Sequence, residues 1–383
     1  MSDRTQTDFG SSADDIKAAY KPIKQATHVP GFIYSSPEIF ALEKERIFMK
    51  DWLCLGRVEE IEKPGDYMTF RILGEPVLIC RDEKGNINAF ANMCRHRGVE
   101  VAQARGNTTE FTCPYHGWLY NLEGWLVGAP YMRDAEGFDI RSCRLRPVRS
   151  GVWAGWIFIN LDDNAEPFEK TIADFDSEFS FLQQERYRIA DRYEAEFDCN
   201  WKLLVENFVD FYHIGVLHAN SFGRFMKTMD VAYDLRDRGG VFLNYDAGTQ
   251  SQSGKLLFGK PEWLKDKPDR FSATGWLSPN FHMFARAENV RPYFVWPISP
   301  TKSRVSVITI LPEESFSHPR FAENIANYRQ QLITVSEEDR SMVESLQNAM
   351  ASRKFVPGRM SRLEQGVQHI LKYNVSRIMD RLT

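Results

Sequence analysis

The stretch Trp201–His218 reads WKLLVENFVDFYHIGVLH and carries two of the eight histidines in the chain. His213 and His218 stand close to acidic residues, and imidazoles beside carboxylates are the usual ligands of a divalent iron or zinc ion. On an ideal α-helix, two residues five positions apart lie about 140° apart around the axis, so these side chains would not share a face. A common metal site therefore requires a helix that is broken or widened between them, which Gly215 permits.

Three polar residues precede the two histidines in the same stretch, namely Glu206, Asn207 and Asp210. Asp210 lies three positions before His213, on the same side of a helix, where it can bind a metal or hold the histidine through a hydrogen bond. The alternative interpretation is an amphipathic core helix whose histidines are satisfied internally. This stretch alone does not decide between the two.

A second group of candidate metal ligands lies earlier in the chain, in two short motifs. CRHRG contains Cys94 and His96, and CPYHGW contains Cys113 and His116, with sixteen residues between the two Cys/His pairs. These four side chains can hold one structural Zn²⁺, or a [2Fe–2S] cluster with Cys on one iron and His on the other. A zinc finger usually takes both Cys from one loop and both His from another. Here each loop supplies one of each, which favours the cluster.

Composition and charge are those of an ordinary globular protein that is large enough for two domains. The 383 residues are 43% hydrophobic and 26% charged, with a net charge of −4 and no basic run, so nucleic acid is not an expected partner. The most apolar run, VWAGWIFI at 152–159, is too short to span a membrane. No apolar secretion signal is evident, and six cysteines in this length do not indicate a disulfide framework, so we expect a cytoplasmic protein.

Three segments with different patterns predict an α+β chain. Residues 1–45 form an N-terminal segment expected to pack on the catalytic domain, and Ser36 is a candidate N-cap of a helix there. Residues 46–161 contain short alternating runs separated by turn signals, which predicts a small antiparallel β domain. Residues 162–383 are expected to form a domain with an antiparallel sheet flanked by helices. The helices expected there cover 172–184, 200–220 and, as two helices with the second beginning at Ser336, 317–351.

The two groups of motifs together resemble a known family. The Cys/His loops are similar to those of a Rieske iron–sulfur domain. The 201–218 stretch is similar to the catalytic motif of Rieske non-haem iron oxygenases, the terminal oxygenase α subunits of aromatic-ring-hydroxylating systems. Both motifs occur in the family's order, and the resemblance extends over most of residues 35–375. It implies a [2Fe–2S] cluster and a mononuclear Fe(II).

The resemblance also implies a role for each matched residue. The cluster ligands would be Cys94 and Cys113 on one iron and His96 and His116 on the other. The mononuclear Fe(II) would be bound by His213 and His218, with a downstream carboxylate completing a facial triad. The best match for that carboxylate is Asp339 in SEEDRSMVESLQ, with Glu338 second. The alternative for Asp339 is a solvated acid in the first turn of a helix.

Asp210 is then implied to be a bridge between subunits rather than a ligand. By the family's pattern it would connect His116 of a neighbouring subunit to His213, which implies a head-to-tail homotrimer. Asn207 matches a family Asn near the iron, and Glu206 is either a second partner of the site or a structural acid.

The implied activity is reductive O2 activation with electrons from NAD(P)H. The chain contains no GxGxxG fingerprint, so a separate reductase, with or without a ferredoxin, would deliver the electrons. The resemblance does not distinguish between two reactions. One is monooxygenation, including dealkylation, and the other is dihydroxylation of the kind used in aromatic hydrocarbon catabolism. The length of the chain favours an oxygenase without a β subunit.

The residues around the iron motif favour an aromatic or otherwise apolar substrate. The candidate wall residues are Phe208, Val209, Phe211, Ile214, Val216, Leu217, Phe222, Met226, Phe281, Met283 and Phe284. The alternative substrate class is a quaternary amine of the betaine type, held in an aromatic cage of Trp276, Tyr293 and Trp296. His282 is a candidate for orienting the substrate or for an ordinary core position.

Two functions from other classes compete with the oxygenase. A zinc-stabilised binding or scaffold protein would use the four Cys and His residues but leaves the Asp210, His213 and His218 group unexplained. A Rieske ferredoxin would need only the β domain, whereas about 220 residues follow that domain here.

Overall fold

The computed structural model describes residues 13–226 and 231–379. Residues Met49–Ala173 form one structural unit, and the described residues before and after them form another. The domain boundaries predicted after residues 45 and 161 remain predictions. The first twelve residues of the predicted N-terminal segment, and the last four of the predicted catalytic domain, lie outside the described residues.

The unit Met49–Ala173 consists of short antiparallel strands, as their alternating sequence predicts. The strands are β1 (Leu53–Arg57), β2 (Asp66–Ile72), β3 (Glu75–Arg81), β4 (Ile87–Ala91), β5 (Arg105–Asn107), β6 (Glu110–Thr112), β7 (Leu119–Asn121), β8 (Leu126–Gly128), β9 (Arg149–Trp153) and β10 (Trp156–Asn160). They form three sheets with the orders β1-β10-β9, β4-β3-β2-β5 and β6-β7-β8. A buried cluster that includes Phe90, Phe111 and Tyr120 packs around Cys94 and Cys113. The two cysteines are therefore part of the core of this unit.

The other unit is built on one antiparallel sheet of seven strands. Its strands are β11 (Tyr187–Phe197), β12 (Ala232–Leu235), β13 (Val241–Asp246), β14 (Phe271–Leu277), β15 (Phe281–Arg286), β16 (Val290–Ser299) and β17 (Lys302–Pro312). The order is β11-β17-β16-β15-β14-β13-β12. The helices of the described chain are α1 (Ala13–Ala18), α2 (Pro37–Glu43), α3 (Phe168–Phe179), α4 (Trp201–Val209), α5 (Ile214–Leu217), α6 (Phe321–Met350) and α7 (Gln365–Ser376). The division between the units falls within α3.

Helices cover both faces of the seven-stranded sheet. On one face α4 contacts β16 and β17, and α6 contacts β11. On the other face Phe175 and Phe179 of α3 pack against Phe242 of β13, with ring centroids 5.2 and 5.8 Å apart. This arrangement confirms the predicted α+β class. None of the helices in the described residues is long and apolar enough to cross a membrane.

The start of α2 agrees with its sequence signal. The Ser36 side chain accepts hydrogen bonds from the backbone N–H groups of Glu38 and Ile39, and Pro37 occupies the first helical position.

The helix predicted over 200–220 is interrupted, and the break is not where the sequence pattern placed it. Helix α4 ends at Val209, and Asp210 leaves the helix with φ −82° and ψ 113°. Its Oδ1 accepts a hydrogen bond from the backbone N–H of Tyr212, at 2.6 Å, which stabilises a turn before His213. Gly215 lies inside α5 rather than at the break. The prediction that Gly215 provides the break is therefore wrong.

Two other helix predictions also differ from the structure. Instead of the two helices predicted over 317–351, the structure has one long helix, α6 (Phe321–Met350), which no Gly or Pro interrupts. Ser336 is therefore not an N-cap. Asp339 lies far inside α6, so its alternative as a first-turn acid is wrong. The helix predicted over 172–184 begins earlier and ends at Phe179.

Candidate functional site

The two Cys/His loops of the β unit close in the same way. Gly98 N–H donates to the carbonyl of Cys94 at 2.9 Å, and Gly117 N–H donates to the carbonyl of Cys113 at 3.1 Å. Both glycines have positive φ, +81° and +71°, a conformation that other residues rarely adopt. The glycines therefore let each loop turn back on its cysteine.

The ligand atoms of these loops face one another. Nδ1 of His96 lies 3.1 Å from Nδ1 of His116. Cys94 and Cys113 are buried and free of disulfides, and burial raises the pKa of the Cys94 thiol. Trp118 stacks on His96 with ring centroids 5.0 Å apart. Two convergent imidazoles with two buried thiols fit a [2Fe–2S] cluster bound by two Cys and two His.

A second group of ligand atoms converges in the other unit. His213 Nε2 lies 3.2 Å from His218 Nε2. Oδ1 of Asp339 lies 3.6 Å from the first nitrogen and 3.0 Å from the second, and it is buried without a hydrogen bond. Neighbouring ligand atoms about 2.1 Å from one metal ion lie about 3 Å apart, so this spacing fits a bound metal. The composition is that of the two-His, one-carboxylate triad of non-haem Fe(II).

The short helix α5 explains how two histidines five positions apart meet. His213 precedes α5 and His218 follows it, so each extends from one end of a single turn. The carbonyl of His213 accepts the N–H of Leu217 at 2.8 Å and thereby fixes that turn. Asp339 reaches the same point from α6.

The second ring nitrogen of each histidine has a carboxylate partner. Nδ1 of His213 lies 3.0 Å from Oδ2 of Asp210, and Nδ1 of His218 lies 2.6 Å from Oε2 of Glu338. Ser221 Oγ donates to the same Glu338 oxygen at 2.7 Å. Such partners leave Nε2 as the nitrogen that can bind a metal. Glu338, the second-choice ligand in the sequence, thus contacts a histidine on the side away from the convergent atoms.

A cavity adjoins the three convergent ligands and is here called the metal-site chamber. Asn207, Asp210, His213, His218 and Asp339 line it together. The predicted wall residues that line it are Phe208, Phe211, Ile214, Phe222, Met226 and Phe284. The predicted wall residues that do not are Val209, Val216, Leu217, Phe281 and Met283. Val216 is 86% exposed, because the α5 turn directs it outward. Of the predicted cage, Tyr293 lines the chamber and Trp276 and Trp296 do not.

Several lining residues were not predicted from the sequence. They include Phe197, Tyr245 and Arg286. Arg286 was detectable in principle, because side chains alternate along β15 and place it on the same face as Phe284. His282 shares that face but is fully buried and does not line the chamber. Neither of its ring nitrogens has a hydrogen-bond partner, and burial lowers its pKa to about 3.

Glu206 lies on α4 but does not line the metal-site chamber. It is buried, and the hydroxyl of Tyr34 lies 3.0 Å from each of its carboxylate oxygens. Burial raises the pKa of Glu206 to about 7. This contact supports a structural role, in which Glu206 fastens the N-terminal residues to α4.

Two family models match separate parts of this chain. Residues 184–380 match the ring-hydroxylating α subunit (catalytic domain), and residues 51–143 match the Rieske [2Fe–2S] domain. The chain belongs to the Rieske-type ring-hydroxylating α-subunit family. Members of this family are non-haem iron oxygenases, and their two domains carry a [2Fe–2S] cluster and a mononuclear iron. The predicted family and cofactors are therefore confirmed.

Individual relatives of this α-subunit chain include proteins named for quaternary amines. The chain is 34% identical over 192 residues to the carnitine monooxygenase oxygenase subunit of Acinetobacter pittii, covering 49% of the chain and 52% of that relative. It thus matches about half the length of that relative. It is 25% identical over 394 residues to the glycine betaine monooxygenase oxygenase subunit of Pseudomonas aeruginosa, covering 92% and 90%. A solved quaternary ammonium Rieske monooxygenase shares its fold, with a TM-score of 0.80, 24% identity and coverage of 96% and 98%.

Proposed function

We propose that this chain is the terminal oxygenase component of a Rieske system that oxidises a quaternary amine at a carbon next to nitrogen. The convergence of His213 Nε2, His218 Nε2 and Asp339 Oδ1 at the wall of a cavity carries the proposal. When bound, the cluster would relay electrons and the iron would activate O2. Hydroxylation next to the nitrogen gives a product that separates into an amine and an aldehyde.

The residues around the ligands have three tasks in this reaction. Asp210 and Glu338 hold the two imidazoles in the orientation that presents Nε2. Asn207 supplies a polar side chain at the chamber wall. Phe208 and Phe284 make the rest of the wall apolar, which excludes water and positions the substrate.

The substrate class rests on the aromatic side chains and on the relatives. The ring of Tyr293 lies edge to face with Phe208 and with Phe284, with centroids 5.1 Å apart in both pairs. Three rings at the wall of one chamber provide the surfaces that attract a quaternary ammonium group. They replace the predicted cage of Trp276, Tyr293 and Trp296. The relatives named above are quaternary-amine monooxygenases, and the aromatic substrate expected first stays as the alternative that the apolar wall favours.

The proposed partners follow from the two ligand sets. Electrons would come from NAD(P)H through a reductase, with or without a ferredoxin. His116 is exposed at the surface, where it can meet another protein chain. This exposure supports the proposed homotrimer, in which Asp210 of one subunit faces His116 of the next. A location in the cytoplasm belongs to the same proposal.

The first experiment is low-temperature EPR of the dithionite-reduced protein, with iron and sulfide analysis. About three irons and two acid-labile sulfides per chain are expected. Turnover is then measured with NADH, a Rieske reductase, and either glycine betaine or naphthalene. An amine and an aldehyde from the first compound support the proposal, whereas oxidation of naphthalene alone restores the aromatic alternative. A colourless protein with one zinc per chain would contradict the oxygenase and favour the scaffold.

A further inference from the structure

A second chamber adjoins the metal-site chamber and shares several wall residues with it. The shared residues are Phe222, Met226, Phe284, Arg286, Tyr293, Leu332 and Val335. The second chamber is also lined by Arg291 and Gln331, and it is here called the arginine chamber. Arg286 lines both chambers. A ligand that fills both chambers would contact Arg286 where they join, Arg291 and Gln331 at one end, and the metal-site wall at the other.

The arginine chamber contains hydrogen-bond donors that have no acceptor. Nε of Arg286, Nη2 of Arg291 and Nε2 of Gln331 are buried and without a hydrogen-bond partner. The three residues are 5%, 2% and 6% exposed. Two other nitrogens of the arginines bind neutral groups: Arg286 Nη1 donates to the carbonyl of Ala285 at 2.9 Å, and Arg291 Nε donates to Thr309 Oγ1 at 3.0 Å. Each of the three unpaired nitrogens is a donor, so what each one lacks is a hydrogen-bond acceptor.

The buried acid nearest in sequence does not neutralise these arginines. Glu288 lies between them in the chain and is fully buried. Its carboxylate instead accepts hydrogen bonds from the backbone N–H groups of Leu257, Phe258 and Gly259 and from the hydroxyl of Tyr328. Among the described residues, no ion pair joins a carboxylate to Arg286 or Arg291. Two buried guanidinium groups without an anion are costly, and a bound anion would remove that cost.

We propose that the arginine chamber binds the carboxylate of the substrate, with Arg286 and Arg291 as the anion-binding residues and Gln331 as an additional donor. A carboxylate matches the planar guanidinium fork and supplies several acceptor lone pairs. The substrate is then a quaternary amine that also carries a carboxylate, held at one end by the arginines. The ammonium end of this description rests on the proposed function, whereas the carboxylate end rests on the arginines.

The test is calorimetric binding to the metal-loaded protein without reductase, so that no turnover is needed. Glycine betaine and choline both carry a trimethylammonium group, but only the first carries a carboxylate. Benzoate and benzamide form a matching pair without an ammonium. The variants are Arg286→Gln, the charge-retaining Arg286→Lys, Arg291→Gln, and the control Arg320→Gln, an exposed arginine paired with Glu323.

Wild-type protein is expected to bind glycine betaine at least about tenfold more tightly than choline, and Arg286→Gln is expected to abolish that preference. Arg286→Lys should retain part of it, and Arg320→Gln all of it. If benzoate shows the Arg286-dependent preference over benzamide and neither amine binds, the carboxylate site stands while the quaternary-amine function fails. The site would be overturned if ligands with and without a carboxylate bound equally tightly. It would also be overturned if neither Arg286→Gln nor Arg286→Lys changed the affinities.

Discussion

Oδ2 of Asp210 lies 3.0 Å from Nδ1 of His213, on the side of the ring opposite the nitrogen that faces Asp339. The backbone of Asp210 ends α4, and its Oδ1 accepts the N–H of Tyr212 at 2.6 Å. One residue therefore ends the helix and orients one of the three convergent side chains. If the site depends on this geometry, substitution of Asp210 should lower activity while the three convergent side chains stay in place.

Asp210→Asn removes the negative charge and keeps the size of the side chain. We expect the variant to retain both the cluster and the mononuclear iron. Turnover should fall by more than about tenfold, because an amide accepts the Nδ1–H hydrogen bond of His213 less strongly than a carboxylate does. The measurement is NADH-dependent product formation, together with the rate at which the reduced cluster is reoxidised when substrate and O2 are added. Asp210→Glu is the control that keeps the charge. Near-normal reoxidation in Asp210→Asn would contradict a bridging role.

His213→Ala removes one of the three proposed ligands of the mononuclear iron. The proposed cluster ligands belong to the other structural unit, so the visible spectrum of the cluster should remain while mononuclear iron and turnover are lost. Metal analysis and absorption spectra of the purified variant check both statements. Loss of the cluster spectrum would contradict the assignment of two separate sites.

Glu338→Gln tests the partner of His218. The 2.6 Å contact between Glu338 Oε2 and His218 Nδ1 should hold the ring and raise its basicity, so its loss should weaken iron binding about 10- to 100-fold. Fe(II) titration of the metal-free catalytic site gives the affinity. Glu337→Gln is the matched control, since Glu337 is 53% exposed and pairs with Arg340 instead. Equal affinities in the two variants would show that Glu338 has no such role.

The parts of the site that depend on local motifs could be predicted from the sequence, and those that depend on strand pairing could not. The two Cys/His loops follow from short motifs and their glycines. Asp339 required the family resemblance, because it lies more than a hundred residues after His218. The alternation along β15 could place Arg286 on the face of Phe284, but no local pattern shows that Gln331 of α6 lines the same chamber. Ser336 misled the helix prediction, because packing overrode its preference for a helix start.

Glu206→Gln should change how stability depends on pH. Burial raises the pKa of Glu206 from 4.5 to about 7, so the folded state keeps a proton that the unfolded state loses between these values. The wild type therefore loses up to about 3 kcal/mol of stability as the pH rises through this window, and the glutamine variant does not. Melting temperatures at pH 5 and pH 8 should show the variant gaining relative to wild type at the higher pH. A difference independent of pH would mean that Glu206 is ionised throughout.

His282→Leu should stabilise the protein, and more so in acid. His282 is fully buried among aromatic rings, both its nitrogens lack partners, and burial lowers its pKa from 6.5 to about 3. Below pH 6.5 the His282 imidazole is protonated in the unfolded state but stays neutral in the folded state. The wild type is therefore destabilised as the pH falls from 6.5 towards 3. Leucine removes this loss, and its advantage should grow by about 2 kcal/mol between pH 6.5 and pH 5. Urea unfolding at pH 5 and pH 7.5 measures the change, and turnover should persist because His282 does not line the metal-site chamber. Loss of turnover with intact stability would instead indicate that His282 orients the substrate.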